Sequence, residues 1–157
     1  SGSDEAVRGY MDALNTTGRY AVTEELKQKI QANFAAGWCS DQAAADNIAK
    51  VFGTEGYLMD THTAVAYTVM EQYRQKTGDN ALTVVLSTAS PYKFCSSVLE
   101  AMGVREMKPG AEIISQLEEK TRTTAPKPLK ALAGKAVRFT GETPKEQMPQ
   151  VVLDTLR

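Results

Sequence analysis

The sequence predicts an α/β fold, rich in helices and carrying only a few short parallel strands. Three observations lead there. Helical periodicity runs through most of the 157 residues. One β-branched run, Leu82-Thr83-Val84-Val85-Leu86, is apolar on both faces, as a parallel strand covered on both sides reads. That run passes through Ser90 and Pro91 into another helical stretch, which makes a βα unit.

Taken in order, Ala6, Val7, Tyr10, Met11 and Leu14 recur at helical spacing between a Ser3 or Asp4 cap and a Gly18 stop. Thr23 followed by Glu24 and Glu25 starts a second helix, with Leu26, Ile30 and Phe34 on one face. Ser40 and Asp41 cap a third, whose buried stripe is Ala44, Ile48, Val51 and Phe52. Residues 1–56 thus read as helical, and residues 57–157 as a strand–helix portion of the same unit. Asp60 caps a helix from Thr61 to about Gln75, with Val65, Val69 and Tyr73 as its inner face. After the strand at 82–86, Phe94, Val98, Leu99 and Met102 mark the next helix, and Ile113, Ile114 and Leu117 another behind Pro109-Gly110. A short helix is expected near Leu129 to Leu132 and a second short strand at Ala136-Val137-Arg138-Phe139. Thr143-Pro144-Lys145-Glu146 reads as a capping box that launches a last helix. Two or three strands make only a marginal sheet. The pattern looks like part of a sheet whose other strands lie elsewhere.

Composition excludes several functions. Eighteen basic and nineteen acidic side chains leave a net charge of −1, which offers no field for nucleic acid or an anionic membrane. No apolar run approaches the ~20 residues of a membrane helix, and no signal-peptide pattern opens the chain. Cys39 and Cys95 lack a CxxC spacing and His62 stands alone, so neither a disulfide framework nor a zinc site is signalled, and a cytoplasmic setting is expected. Ser1 in place of an initiator methionine suits a cloning scar, a processed terminus or a piece of a longer chain.

For chemistry, the turn from Ser87 to Pro91 stands out, because ligands of open α/β sheets bind at strand carboxyl ends beside helix N-termini. Ser87, Thr88 and Ser90 converge there, with Lys93 one turn on; capping alone also accounts for such hydroxyls. His62 in Asp60-Thr61-His62-Thr63 offers a group that titrates near neutrality, though a lone first-turn histidine is commonly structural. Cys95 near a helix N-terminus suits a lowered thiol pKa or plain burial. Trp38 and the six tyrosines form no stacking platform and read as core or interface.

Two strings are more specific: Gly56-Tyr57-Leu58-Met59-Asp60-Thr61-His62-Thr63-Ala64-Val65-Ala66 and Thr83-Val84-Val85-Leu86-Ser87-Thr88-Ala89-Ser90-Pro91-Tyr92-Lys93-Phe94. In order and separation they resemble the C-terminal part of threonine synthase, with a GYLLDPHTAV-like segment ahead of a VVLSTA-P-KF-like one. Upstream, Val7-Arg8-Gly9-Tyr10-Met11 and Phe34-Ala35-Ala36-Gly37-Trp38-Cys39 resemble the helices that precede those motifs. Thr61 departs from the family, which commonly has proline there.

The resemblance implies a pyridoxal-phosphate lyase of the fold type shared with the tryptophan synthase β subunit, which converts O-phospho-L-homoserine and water to L-threonine and phosphate. The family carries the Schiff-base lysine and the Gly-rich phosphate loop in preceding parts of its chain. Residues 1–157 are therefore expected to be a single C-terminal segment, inactive alone, whose partner is the remaining N-terminal part of the same polypeptide. By the same resemblance Thr88, then Ser87, would contact the cofactor through a hydroxyl facing the pyridine nitrogen. Asp60, His62 and Lys93 would border the substrate pocket. Pyridoxal phosphate is expected in the parent enzyme rather than on this segment, and uncovered apolar surface would favour self-association. The alternative is a standalone helical interaction or regulatory module of common ancestry.

Overall fold

Local signals set most of the helix boundaries in the computed structural model, which describes residues 2–156. Helix α1 (Asp4–Thr17) starts where the Ser3 hydroxyl accepts from the Ala6 N–H, and α2 (Glu24–Gln31) where Thr23 does the same for Leu26. Helix α3 (Asp41–Glu55) is capped by Ser40, and α4 (Thr61–Thr77) by Asp60. Glycines at 18, 56 and 78 end α1, α3 and α4 in the left-handed region, where a side chain is strained. Pro91–Lys93 form a 3-10 turn that leads into α5 (Cys95–Ala101), followed by α6 (Glu112–Thr121) and α7 (Lys127–Lys130). A 3-10 turn at Ala131–Gly134, another at Lys145–Gln147 and α8 (Met148–Thr155) complete the described residues.

The core lies where α3 packs against α4 and α5, and α5 against α6. Ile48, Met59, Ala64, Val98, Leu99 and Leu117 fill it. Neither α1 nor α2 buries a residue, and nothing from 131 to 156 is buried. The exposed area is 12,314 Å², against roughly 7,800 Å² for a compact monomer of this mass. That excess decides how the apolar segments behave. No helix among the described residues is long and apolar enough to cross a membrane.

Four sequence expectations are corrected. The two short parallel strands, at 82–86 and 136–139, are not formed: among the described residues there is no strand. A strand exists through hydrogen bonds to a neighbouring strand, and among the described residues neither segment has one, with Leu82 98% exposed and Phe139 82% exposed. The inner face of α4 is Thr63, Ala64 and Thr68, not Val65 and Tyr73, because a hydrogen bond of 2.9 Å from the Asn47 side chain to Thr68 Oγ1 ties that face to α3. Val69 packs instead on Gly37, where a Cβ would meet it at 2.7 Å. Of the two readings of Trp38, core or interface, the core one is corrected, since the side chain is exposed. The capping box at 143–146 does not form, since Pro144 stays extended (ψ 144°) and the helical turn begins one residue later.

Candidate functional site

The site is organised from the N-terminus of α4. Asp60 is 1% exposed, yet both carboxylate oxygens are satisfied. Its Oδ1 accepts from the backbone N–H groups of His62 (2.9 Å) and Thr63 (3.3 Å), and its Oδ2 takes a short hydrogen bond from the Thr63 hydroxyl. His62 Nδ1 lies 3.4 Å from Oδ1, and the exposed imidazole tilts against Phe94 at 5.1 Å between ring centres. Burial pushes the Asp60 pKa up. The hydrogen bonds from Thr63 and His62 outweigh it and hold the carboxyl below its ordinary value.

The same Thr63 hydroxyl reaches out of the helix to Ser87, with the two oxygens 3.2 Å apart. This joins the two sequence strings, 24 positions apart, at one point. The intervening chain turns at Gly78 and runs back along α4. Near the far end of α4 the Arg74 guanidinium donates to the Ala81 carbonyl (2.9 Å) and to Thr83 Oγ1 (3.0 Å). Thr63 and Arg74 are eleven residues apart on the helix, ~16 Å at 1.5 Å per residue. Residues 83 to 87 span ~13 Å when extended, so the side-chain reach of arginine closes the difference. The segment that reads as a strand is thus held to a helix at both ends.

Beyond Ser87 the hydroxyls diverge in role. Ser90 caps the 3-10 turn, accepting from the Tyr92 N–H at 3.3 Å. Tyr92 is buried and its hydroxyl meets Thr123 Oγ1 at 2.6 Å, which anchors the turn to the loop after α6. That loop is itself pinned by Glu118, which accepts from the Ala125 N–H (2.8 Å) and pairs with Lys130 (3.0 Å). Thr88 is exposed and its hydroxyl makes no hydrogen bond among the described residues; Lys93 is exposed one turn on. Cys95 is buried, donates to the Tyr92 carbonyl at 3.1 Å, and has its thiol pKa pushed up by burial. A nucleophilic role for it has no support here.

The structure therefore brings Asp60, His62 and Ser87 together, with Thr88 on the same turn, and leaves Lys93 outside the network. Sequence reasoning missed Thr63, Arg74 and the Tyr92–Thr123 contact. For Thr63 a signal existed, a hydroxyl three residues after a capping acid; for the others the partners are set only by the fold. Among the described residues no group of three His, Cys, Asp or Glu side chains is placed to hold a metal ion.

Residues 63–141 match the family model described as "Threonine synthase, C-terminal", which takes in half of the chain. The chain belongs to the threonine synthase family. The human protein threonine synthase-like 1 is 31% identical over 94 residues, covering 60% of this chain and 12% of that protein. Threonine synthase of Saccharomyces cerevisiae is 27% identical over 103 residues, covering 62% of this chain and 20% of the yeast enzyme. The crystal structure of a pyridoxal-phosphate-bound threonine synthase from Brucella melitensis is 31% identical, with a TM-score of 0.55 over 75% of this chain and 28% of that one. This threonine synthase family member thus spans about an eighth to about a quarter of the relatives it matches, and corresponds to their C-terminal part. Asp60 and His62 fall just ahead of the matched residues, and the turn at 87–93 falls inside them.

Proposed function

We propose that this chain is the C-terminal domain of a pyridoxal-phosphate-dependent threonine synthase, and that it supplies one wall of the pocket where O-phospho-L-homoserine and water become L-threonine and phosphate. The carrying observation is the Asp60–Thr63–Ser87 network, which sets the Ser87-Thr88 turn beside the N-terminus of α4. The donor set suits the cofactor. Asp60 is turned inward and spent on the helix, so what the turn offers outward is neutral hydroxyl, with Thr88 making no hydrogen bond among the described residues. A neutral hydroxyl leaves a pyridine nitrogen less protonated than a carboxylate would. When bound, the cofactor supplies an electron sink for bond cleavage at the substrate.

Within that reading each residue has a task. Thr88 holds the pyridine nitrogen, and Ser87 is the second hydroxyl of the turn. Asp60 holds the helix end in place, His62 lines the approach to the pocket, and Lys93 offers an exposed cation suited to a substrate phosphate or carboxylate. The remaining N-terminal part of a complete synthase supplies the Schiff-base lysine and the phosphate loop, in the cytoplasm. It also covers the apolar segment at 82–86. Alone, residues 1–157 form a single inactive segment that self-associates.

Thr88→Val in the complete enzyme tests the assignment. A pocket hydroxyl is lost at nearly constant volume, so turnover or cofactor affinity falls about tenfold or more. Because Thr88 is exposed, stability stays within about 0.5 kcal/mol. Unchanged kinetics with a lowered melting temperature would make Thr88 structural and sink the assignment. The isolated chain should release no phosphate from O-phosphohomoserine.

A further inference from the structure

Three hydroxyls and a carbonyl form a chain from the end of α6 to the turn at 87–93. Thr121 Oγ1 donates to the Leu117 carbonyl at 2.7 Å. A carbonyl only accepts and a hydroxyl has one proton, so Thr121 has none left for Thr123 Oγ1, 2.8 Å away, and Thr123 is the donor between them. That uses the Thr123 proton. The Tyr92 hydroxyl, 2.6 Å from Thr123 Oγ1, is therefore the donor in the last bond. Either oxygen of these two pairs is placed to donate, and the carbonyl at the inner end fixes the direction of both. Tyr92 and Thr121 are each 6% exposed, which leaves little water to compete.

The chain is closed across a strained backbone. Arg122, between the two threonines, is the non-glycine residue with positive φ (56°) among the described residues, and the Thr123 N–H returns past it to Thr121 Oγ1 at 3.4 Å. Such strain persists where the surroundings over-determine it. At the other end Tyr92 has its three polar groups engaged: its N–H donates to Ser90 Oγ, its carbonyl accepts from the Cys95 thiol, and its hydroxyl donates to Thr123. The turn is thus held at Ser87 by Thr63 and at Tyr92 by Thr123. Thr88 lies between, exposed and with no hydrogen bond of its own among the described residues, so its place comes from these two tethers.

We propose that Tyr92 is a positioning residue: by donating its hydroxyl proton to Thr123 it fixes the turn at 87–93 against the end of α6, and so fixes where the Thr88 hydroxyl is presented. The consequence for catalysis rests on the reading above, in which the turn faces the cofactor.

The tether is tested first on the full 157-residue chain without cofactor, by hydrogen exchange at the Lys93 and Phe94 amides, which close the 3-10 turn on Ser90 and Pro91. Tyr92→Phe, which keeps the buried ring, should speed both about threefold or more, the effect of one lost hydrogen bond. Thr123→Val should do at least as much, because it leaves the phenol buried without an acceptor, and Thr123→Ser should restore the parent rates. Exchange unchanged in Tyr92→Phe, or unrestored in Thr123→Ser, overturns the proposal. In the Raman difference spectrum between the parent and Tyr92→Phe, the tyrosine Fermi doublet should carry the intensity pattern of a donating phenol; an accepting pattern overturns it too. In the complete holoenzyme Tyr92→Phe should lower kcat about fivefold with KM within about twofold. Combined with Thr88→Val it should lose little beyond the Thr88→Val loss alone, since both act through one hydroxyl, whereas a loss equal to the product of the two overturns the positioning role. If Thr88→Val alone leaves the kinetics unchanged while the exchange results hold, Tyr92 still fixes the turn and it is the functional reading that falls.

Discussion

Asp60 shows how one buried charge is made tolerable. A carboxylate removed from water is costly unless every lone pair is used, and here two backbone N–H groups, a hydroxyl and an imidazole share it. Because its folded pKa lies below the ordinary value, its contribution to stability is present above about pH 4 and is lost as pH falls through the folded pKa. Asp60→Asn should cost about 1–3 kcal/mol at neutral pH, and its stability should vary less between roughly pH 5 and pH 2 than that of the parent chain. Urea unfolding across that range measures both. An equal pH dependence in the two proteins would assign acid lability to other carboxylates.

Among the elements, α4 departs most from its sequence pattern, and its polar inner face is the reason. Thr68 Oγ1 donates to the Ala64 carbonyl at 2.7 Å and accepts from Asn47 at 2.9 Å, both buried. Periodicity ranks positions by apolarity, so Val65 and Tyr73 outrank Thr63 and Thr68 in the sequence, although a satisfied hydroxyl packs as well as a methyl. Thr68→Val should strand the Asn47 amide and cost about 1–3 kcal/mol. Adding Asn47→Leu removes the orphaned donor, so the double variant should lose less than the two single losses combined. Denaturant midpoints of the three variants provide the check, and strict additivity would mean that the pair does not interact. The caps of α1 to α4 were legible because each acts over two or three residues, within reach of any local pattern. The contact of Thr63 with Ser87 crosses 24 positions and depends on the chain folding back.

For the molecule as a whole, surface is the governing quantity. Leu82, Val84 and Leu86 alternate along one segment at 98%, 81% and 74% exposure, with unpaired backbone that can add to another strand. Sedimentation velocity should therefore show concentration-dependent self-association at micromolar chain concentrations. Replacing Leu82 and Val84 by lysine should reduce it severalfold, with no change in unfolding midpoint because neither residue contacts the core. Association unaffected by those changes would move the interface to α8, where Val152 and Leu153 are also exposed.

By itself the sequence determined the helices, their caps, the hydroxyl-rich turn at 87–91 and the resemblance to threonine synthase, since all of these are carried by neighbours in the chain or by strings of residue types. It also marked 82–86 as strand-like, correctly in composition, because β-branched residues prefer extended backbone. Only the tertiary structure decided that this segment has helix α4 rather than another strand beside it, that the inner face of α4 is polar, and that Asp60, Thr63 and Ser87 form one network. Those outcomes depend on which distant groups meet, and hydrogen bonds are satisfied by whatever partner the fold brings within hydrogen-bonding distance.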